Sequence, residues 1–225
     1  AVHGRGLLAP PQCKARSRRA GRSDLVVGGT RAGACGFLAQ GSARRAIPGT
    51  PGYTARVFGI RNKVLGAAKT ALRPATLLGA GSVAPEFDLE AQDHSRVRSA
   101  DLLGEHHYVL IFYPGDETPG CTLQLKQFSD LADRFAEQDC LIFGVNAADS
   151  DSHHRFCAKQ DYKLKLLVDE GRTVATAFQT ARPGVPVTFR SVFFVDKKGV
   201  VRLAMKDYPD PEAVLRMVER NNETG

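Results

Sequence analysis

Hydrophobic residues follow two different spacings in the second part of the chain. Continuous apolar runs at 107–113 and 141–145 predict buried strands, because such runs fit strands that are covered on both faces. The intervening segment, 122–138, repeats apolar residues every three or four positions, which predicts an amphipathic helix. Those residues are Leu125, Phe128, Leu131 and Phe135. A strand, a helix and a second strand in this order predict an α/β domain.

The remaining pattern extends this prediction to a central mixed sheet with helices on both faces. The sequence Asp-Lys-Lys-Gly at 196–199 predicts the turn of a β-hairpin. Asp210 and Pro211 are suited to the N-cap and the first position of a last helix. The other predicted segments are strands at 84–89, 166–168, 191–195 and 200–205, and helices at 152–160, 172–178 and 211–218.

Residues 1–81 show no such sustained pattern. They carry 14 Lys and Arg residues against one acidic residue, a net charge of +13, whereas residues 82–225 carry 17 against 23, a net charge of −6. A basic, acid-poor segment with a weakly amphipathic stretch at 55–72 is typical of organelle transit peptides. We therefore predict a disordered, transit-peptide-like leader over 1–81 and a folded domain over 82–225. The alternative is a basic arm that binds nucleic acid or anionic surfaces.

The composition argues against several classes of protein. No run approaches the roughly 18–20 apolar residues of a membrane span, so no membrane partner is expected. No apolar segment near the start resembles a secretory signal. The five cysteines in 225 residues are too few and too unevenly spaced for a disulfide scaffold.

A cysteine stands where the first buried strand passes into the helix. Cys121 follows a turn rich in Pro and Gly, at 113–120, and is expected in the first turn of the helix. Backbone N–H groups and the helix dipole favour an anion there, and the thiolate is the reactive form of cysteine. Thr118 lies three residues earlier, where its hydroxyl can reach the sulfur or a bound oxygen. The alternative is that Cys121 is a small buried hydrophobic residue.

Other polar groups are expected to have simpler roles. A dithiol carrier is disfavoured, because Gln124 stands where a Cys-x-x-Cys motif would place its second cysteine. Asp116 and Glu117 are expected to be solvated loop residues and not a general acid–base pair. His153 and His154 are expected to be a surface pair at the start of a helix, because a convincing metal site needs more ligands.

Several segments between about residues 80 and 220 resemble the peroxiredoxin family. The central one is Pro114-x-x-x-Thr118-x-x-Cys121, and the surrounding string at 112–122 looks like the Q-type, or bacterioferritin-comigratory-protein, subfamily. The supporting segments are Ala84–Leu89, Asp151–Phe156, Leu167–Gly171 and Arg190–Val200. The basic segment takes no part in the resemblance.

This resemblance implies a thioredoxin-like fold and a thiol peroxidase that needs no metal or haem. It implies that Cys121 attacks hydrogen peroxide or an alkyl hydroperoxide and becomes a sulfenic acid. It also implies that Thr118 hydrogen-bonds Cys121, that Pro114 shields the pocket and that Arg190 stabilises the thiolate. Thioredoxin or a similar thiol is the implied reductant, and a monomer is the implied state. Plant-like Q-type proteins favour a plastid location, with the mitochondrion as the alternative.

The sequence departs from many Q-type members at the resolving cysteine. Lys126 occupies the position five residues after Cys121, where those members carry it. Some family members resemble a protein that keeps its resolving cysteine in the helix predicted at 152–160, which makes Cys157 the expected replacement. Cys140 stands at the entry to a strand and is expected to be a packed thiol. An external thiol is the alternative to Cys157.

Two other functions fit parts of the sequence. A thiol-based redox sensor or holdase would use the same Cys121 with little turnover. A nucleic-acid-binding protein would use the basic residues 1–81. The net negative charge of 82–225 argues against nucleic acid as a partner, because the phosphate backbone attracts basic surfaces.

Overall fold

Two parallel strands with buried side chains form the centre of the sheet, as their apolar runs predict. In the computed structural model, which describes residues 76–224, β3 (His107–Phe112) pairs with β4 (Cys140–Asn146), and Phe112 lies opposite Val145. Every side chain of β3 is buried. Strands covered on both faces by helices have this continuous apolar character.

Five further strands complete a mixed sheet. They are β1 (Asp88–Ala91), β2 (Arg96–Arg98), β5 (Lys165–Val168), β6 (Ser191–Val195) and β7 (Val201–Lys206). The order across the sheet is β2-β1-β5-β4-β3-β6-β7, with β3, β4 and β5 parallel and the other neighbours antiparallel. The hairpin predicted at 196–199 is confirmed, since Gly199 donates its N–H to the Asp196 carbonyl at 2.9 Å.

Helices within residues 76–224 cover both faces of this sheet. They are α1 (Ser99–Leu102), α2 (Pro119–Asp130), α3 (Ala132–Glu137), α4 (Ser150–Gln160), α5 (Thr173–Ala177) and α6 (Pro211–Thr224). Alternate side chains of β3 enter two hydrophobic clusters, because successive side chains of a strand point to opposite faces. Val109 joins a cluster with α2, α3, α4 and α6, whereas Leu110 joins one with α1 and α5. The predicted α/β architecture is therefore confirmed.

The helix predicted over 122–138 is divided in the structure. Leu131 has φ −98° and ψ 3°, and its N–H donates to the Phe128 carbonyl at 3.2 Å, which ends α2. The bend brings the rings of Phe128 and Phe135 to a centroid separation of 6.2 Å. Both segments therefore keep their apolar side on the core, which is why the spacing looked continuous in the sequence.

The first strand lies later than predicted. The chain at 84 pairs instead with the hairpin, where Ala84 donates its N–H to the Gly199 carbonyl at 2.8 Å, and β1 begins at Asp88. The short strand β2 was not predicted, because it is polar and only three residues long. It is held by pairing with β1, in which Asp88 lies opposite Arg98.

Most of the predicted leader, residues 1–75, lies outside the described residues. Its last part packs on the domain, with Leu77 and Leu78 against the cluster that contains α1 and α5. Gly81 donates its N–H to the Val201 carbonyl at 2.8 Å. Contacts of the domain thus extend upstream of residue 82. Within residues 76–224, no helix combines the length and the hydropathy needed to cross a bilayer.

Candidate active site

The topology brings the end of β3 and the start of β6 to the same edge of the sheet. The two strands are antiparallel neighbours, and Phe112 lies opposite Ser191. The loop that follows β3 therefore meets Arg190, which directly precedes β6. Residues 70 or more positions apart in the chain come together here for a reason that local sequence patterns do not contain.

Cys121 lies in the first turn of α2, as predicted. Thr118 is the N-cap residue and Pro119 occupies the first helical position, where a missing N–H costs nothing. The Cys121 side chain is 0% exposed and packs in the cluster with α4 and α6. Its sulfur is thus near the positive end of the α2 dipole and inside the protein, where charges interact more strongly than in water.

The Arg190 guanidinium contacts the sulfur of Cys121. Arg190 Nη2 lies 3.3 Å from Cys121 Sγ, and Nη1 donates to Gln124 Oε1 at 2.6 Å. Gln124 is itself buried and donates from Nε2 to the Asp207 carbonyl at 3.4 Å. Gln124 therefore orients the guanidinium toward Cys121. The sequence did not indicate this role, because Arg190 follows Gln124 by 66 residues.

Thr118 and Pro114 lie on the exposed side of the loop. The Thr118 hydroxyl donates to the Gly115 carbonyl at 3.3 Å and not to the sulfur of Cys121. The Thr118 carbonyl accepts from the Thr122 N–H at 2.9 Å, as expected at a helix start. The predicted bond from Thr118 to Cys121, and the shielding role of Pro114, stay predictions.

The loop is anchored by a buried carboxylate. The Asp116 side chain is 7% exposed, and it accepts hydrogen bonds from Tyr113 (2.9 Å), Asn146 (2.9 Å) and Ser152 (2.7 Å). His153 Nδ1 lies 2.9 Å from Asp116 Oδ2, and its Nε2 lies 3.2 Å from the Leu167 carbonyl oxygen. The prediction that Asp116 is solvated is therefore wrong: the carboxylate ties the loop to β4, β5 and α4.

His153 is likewise not a surface residue. Its side chain is fully buried, whereas His154 is exposed as predicted. Both ring nitrogens of His153 face acceptors, and the doubly protonated ring is the form that donates to both. The sequence did contain a signal, because His153 shares the buried side of α4 with Phe156 and Cys157 at helical spacing. Among residues 76–224, no cluster of metal-ligating side chains occurs.

These contacts control the charge of Asp116. Burial by itself would raise the pKa of Asp116, but the hydrogen bond and charge of His153, with the bonds from Ser152 and Asn146, lower that pKa below its ordinary value. The depressed pKa means that ionised Asp116 stabilises the folded state. That contribution is complete above the unfolded pKa of about 3.9 and is lost as the pH falls through the folded value.

Asp116→Asn is expected to lower the free energy of unfolding at pH 7 by about 3 kcal/mol, because it leaves His153 without its buried counter-charge. Urea unfolding followed by circular dichroism measures this change. The difference from the original protein should begin to shrink only as the pH falls below about 4, where Asp116 itself becomes protonated.

Glu117→Gln is the matched control. Glu117 is the adjacent acid, but its side chain is exposed and pairs with Lys159 at 3.5 Å on the surface. Its replacement should cost less than about 1 kcal/mol. Equal stability of the two variants would contradict an anchoring role for Asp116.

Two further cysteines lie in the described part of the chain. Cys140 is buried at the start of β4, and burial raises the pKa of its thiol well above the ordinary value, which suits a packed and unreactive group. Cys157 is buried in α4, with its Sγ 3.9 Å from the Leu164 carbonyl oxygen. Cys121 carries a free thiol, so it forms no disulfide with Cys157 in this structure.

Sequence comparison agrees with this site. The model of the AhpC/TSA family matches residues 80–204, which include the Cys121 loop and Arg190. The chloroplastic peroxiredoxin Q of Gentiana triflora is 31% identical over 184 residues, covering 79% of this chain and 75% of the relative. The chloroplastic peroxiredoxin Q of Suaeda salsa is 38% identical over 140 residues, covering 59% of this chain and 62% of the relative.

Solved structures resemble the described domain. Peroxidoxin BcpB from Mycobacterium tuberculosis superposes with a TM-score of 0.59 at 26% identity, over 64% of this chain and 97% of that one. Peroxiredoxin Q from Xanthomonas campestris gives a TM-score of 0.58 at 27% identity, also over 64% and 97%. These matches confirm the predicted thioredoxin-like fold. The chain therefore belongs to the AhpC/TSA family and is a peroxiredoxin of the Q type.

Proposed function

We propose that this peroxiredoxin reduces hydrogen peroxide and organic hydroperoxides through Cys121 and is returned to its reduced state by thioredoxin or a related thiol. Membership of the family makes the chain a thiol peroxidase. The choice of Cys121 as its nucleophile is supported by one contact above all, the 3.3 Å between Arg190 Nη2 and Cys121 Sγ. A guanidinium stays charged at any physiological pH and stabilises a thiolate beside it.

The peroxidase step follows from the charges at this contact. The Cys121 thiolate attacks the terminal oxygen of the peroxide, an S–O bond forms and the O–O bond breaks. The leaving oxygen takes a proton from solvent and departs as water or an alcohol, and Cys121 becomes a sulfenic acid. Arg190 and the N–H groups at the start of α2 favour the negative charge that develops on the leaving oxygen.

Thr118 and Pro114 are proposed to assist this step. The Thr118 hydroxyl is free to rotate from the Gly115 carbonyl toward Cys121 or a bound peroxide oxygen, because it makes a single bond in the reduced site. Pro114 fixes the backbone where the loop leaves β3 and limits the access of water to the sulfur.

We infer that Cys157 resolves the sulfenic acid. The Cys157 thiol condenses with oxidised Cys121, giving a disulfide and one water, and two electrons from a dithiol reductant then restore both thiols. The two segments are connected by Tyr162, whose hydroxyl donates to the Thr122 carbonyl at 3.2 Å and whose N–H donates to the Cys157 carbonyl at 3.4 Å. Each cysteine lies within a helix, so closure to the roughly 7 Å that a disulfide requires between Cα atoms involves local unfolding.

One equivalent of peroxide added to the fully reduced chain is expected to join Cys121 to Cys157, which peptide mass spectrometry detects as a cross-linked pair. Cys157→Ser should keep the first reaction with peroxide. It should lose at least about tenfold of the steady-state turnover with thioredoxin, thioredoxin reductase and NADPH, because the sulfenic acid then waits for an external thiol.

Cys140→Ser serves as the control and should turn over like the original protein. An intact Cys157 thiol beside oxidised Cys121 would contradict the resolving role. Rapid oxidation of Cys121 without any turnover on thioredoxin would instead favour a redox sensor or holdase.

We further propose that residues 1–81 address an enzymatic domain of 82–225 to the plastid, with the mitochondrion as the alternative. The chloroplastic names of the plant relatives and the leader charge of +13 support this location. Import of residues 1–81 fused to a fluorescent protein into isolated chloroplasts tests it, and exclusion from them would contradict it. A monomeric enzyme is also proposed, and light scattering at micromolar concentration would reveal a dimer if that is wrong.

A further inference from the structure

An aromatic ring lies beside the Cys121–Arg190 pair. Tyr208 belongs to the loop between β7 and α6, and 54% of its surface is exposed. The Arg190 Cζ lies 4.1 Å from the centroid of this ring, so the phenol covers a face of the guanidinium that contacts Cys121. Stacking of this kind both holds an arginine in place and leaves the other face of the ring available.

Gly120 allows the ring to approach α2 closely. A Cβ atom at Gly120 would overlap the Tyr208 hydroxyl and would lie 3.4 Å from Arg190 Nη2. The absence of a side chain at this position therefore lets the phenol rest on the first turn of α2, one residue before Cys121. The ring, the guanidinium and the sulfur form one continuous surface.

The position of Tyr208 is fixed by its loop. Asp207 donates its N–H to the Arg190 carbonyl at 3.1 Å, and the Asp207 carbonyl accepts from Gln124 at 3.4 Å. Pro209 follows and restricts the backbone of Tyr208 to extended conformations. The same residues that orient Arg190 therefore also hold the ring at the site.

Leu123 extends this apolar surface. It is 58% exposed and follows Gly120 by three positions in α2, so the two residues share one side of the helix. Cys121, in contrast, is fully buried. A peroxide that reaches the sulfur past Arg190 must project any organic group outward, toward Tyr208 and Leu123.

We propose that Tyr208 is a specificity-determining residue whose ring contacts the organic group of a hydroperoxide while the peroxide oxygens lie between Cys121 and Arg190. The proposal rests on the proposed function of Cys121. Hydrogen peroxide has no organic group and gains nothing from the ring. A bulky apolar hydroperoxide gains the burial of its hydrocarbon against Tyr208.

The test compares cumene hydroperoxide with hydrogen peroxide in single-turnover oxidation of Cys121, followed by rapid quench and mass spectrometry. Tyr208→Ser should lower the ratio of the two second-order rate constants by about tenfold, the effect of losing roughly 50 Å² of apolar contact. Tyr208→Phe keeps the ring and should leave the ratio within about twofold of the original value. Because the ratio is taken within one preparation, it does not depend on the fraction of active protein.

Leu103→Ala provides the control, since Leu103 is also an exposed leucine-type surface, 47% exposed, but precedes β3 at the end of the sheet opposite the site. Its ratio should equal that of the original protein. An unchanged ratio in Tyr208→Ser would overturn the specificity role and leave the peroxidase intact. A higher ratio would also overturn it, because the ring would then be an obstacle. Failure of the original protein to react with either peroxide would instead contradict the proposed function itself.

Discussion

Cys121→Ser is expected to lower the second-order rate constant for hydrogen peroxide by about three orders of magnitude or more. A serine hydroxyl remains protonated at neutral pH and is a far weaker nucleophile than a thiolate, so the S–O bond has no equivalent. Peroxide consumption by the reduced protein, followed by a colorimetric peroxide assay, measures the loss.

Cys140→Ser provides the matched control for this variant. Cys140 is also a free, buried thiol, and it lies at the start of β4, whereas the Cys121 loop follows the other end of neighbouring β3. The same substitution there should leave the rate constant within about twofold, because Cys140 has no part in the contact with Arg190. Retention of peroxidase activity by Cys121→Ser would refute the assignment of the nucleophile.

Arg190→Met is expected to lower the same rate constant by about a hundredfold. Methionine keeps an apolar stem of similar length but removes the charge and both hydrogen-bond donors, and a preorganised donor of this kind contributes about two to three orders of magnitude in other enzymes. Arg190→Lys should recover only part of the loss. An ammonium group lacks the fork that reaches Cys121 Sγ and Gln124 Oε1 together.

Arg202→Met separates this effect from a general loss of positive charge. Arg202 lies in β7 near the hairpin and pairs with Asp196 through an Nε to Oδ2 distance of 2.6 Å. Its replacement should leave the peroxide reaction nearly unchanged, because the charge is distant from Cys121 and is screened by solvent. If Arg190→Met and Arg202→Met reacted equally fast, the guanidinium would have no special role at the sulfur.

Local patterns identified the parts of the site that lie within one stretch of chain. The strand that ends at Phe112, the turn after it and the helix that contains Cys121 are all set by residues within 112–130. The helix position of Cys121 follows from Pro119 at the first helical position, which needs no partner for its missing N–H. The reactive cysteine was therefore found from sequence, and the resemblance to peroxiredoxins added Arg190.

Residues that act across the fold were missed or misjudged. Asp116 resembles an ordinary loop acid in sequence, yet four side chains from the ends of β3 and β4 and from α4 surround its carboxylate. His153 had the spacing of a buried residue, but its polarity favoured the surface. Burial of a charged pair depends on partners that supply hydrogen bonds, and those partners are distant in sequence.

The sequence by itself determined the α/β pattern, the hairpin around 196–199, the charge division near residue 81 and the cysteine at the start of a helix. Each of these depends on interactions within a few residues, such as side-chain periodicity, turn preference and helix polarity. Only the tertiary structure decided which side chains meet Cys121. Antiparallel pairing of β3 with β6 brings Arg190 to the sulfur, and the loop after β7 adds Tyr208. Strand order sets these contacts, because it fixes which ends of distant segments share an edge of the sheet.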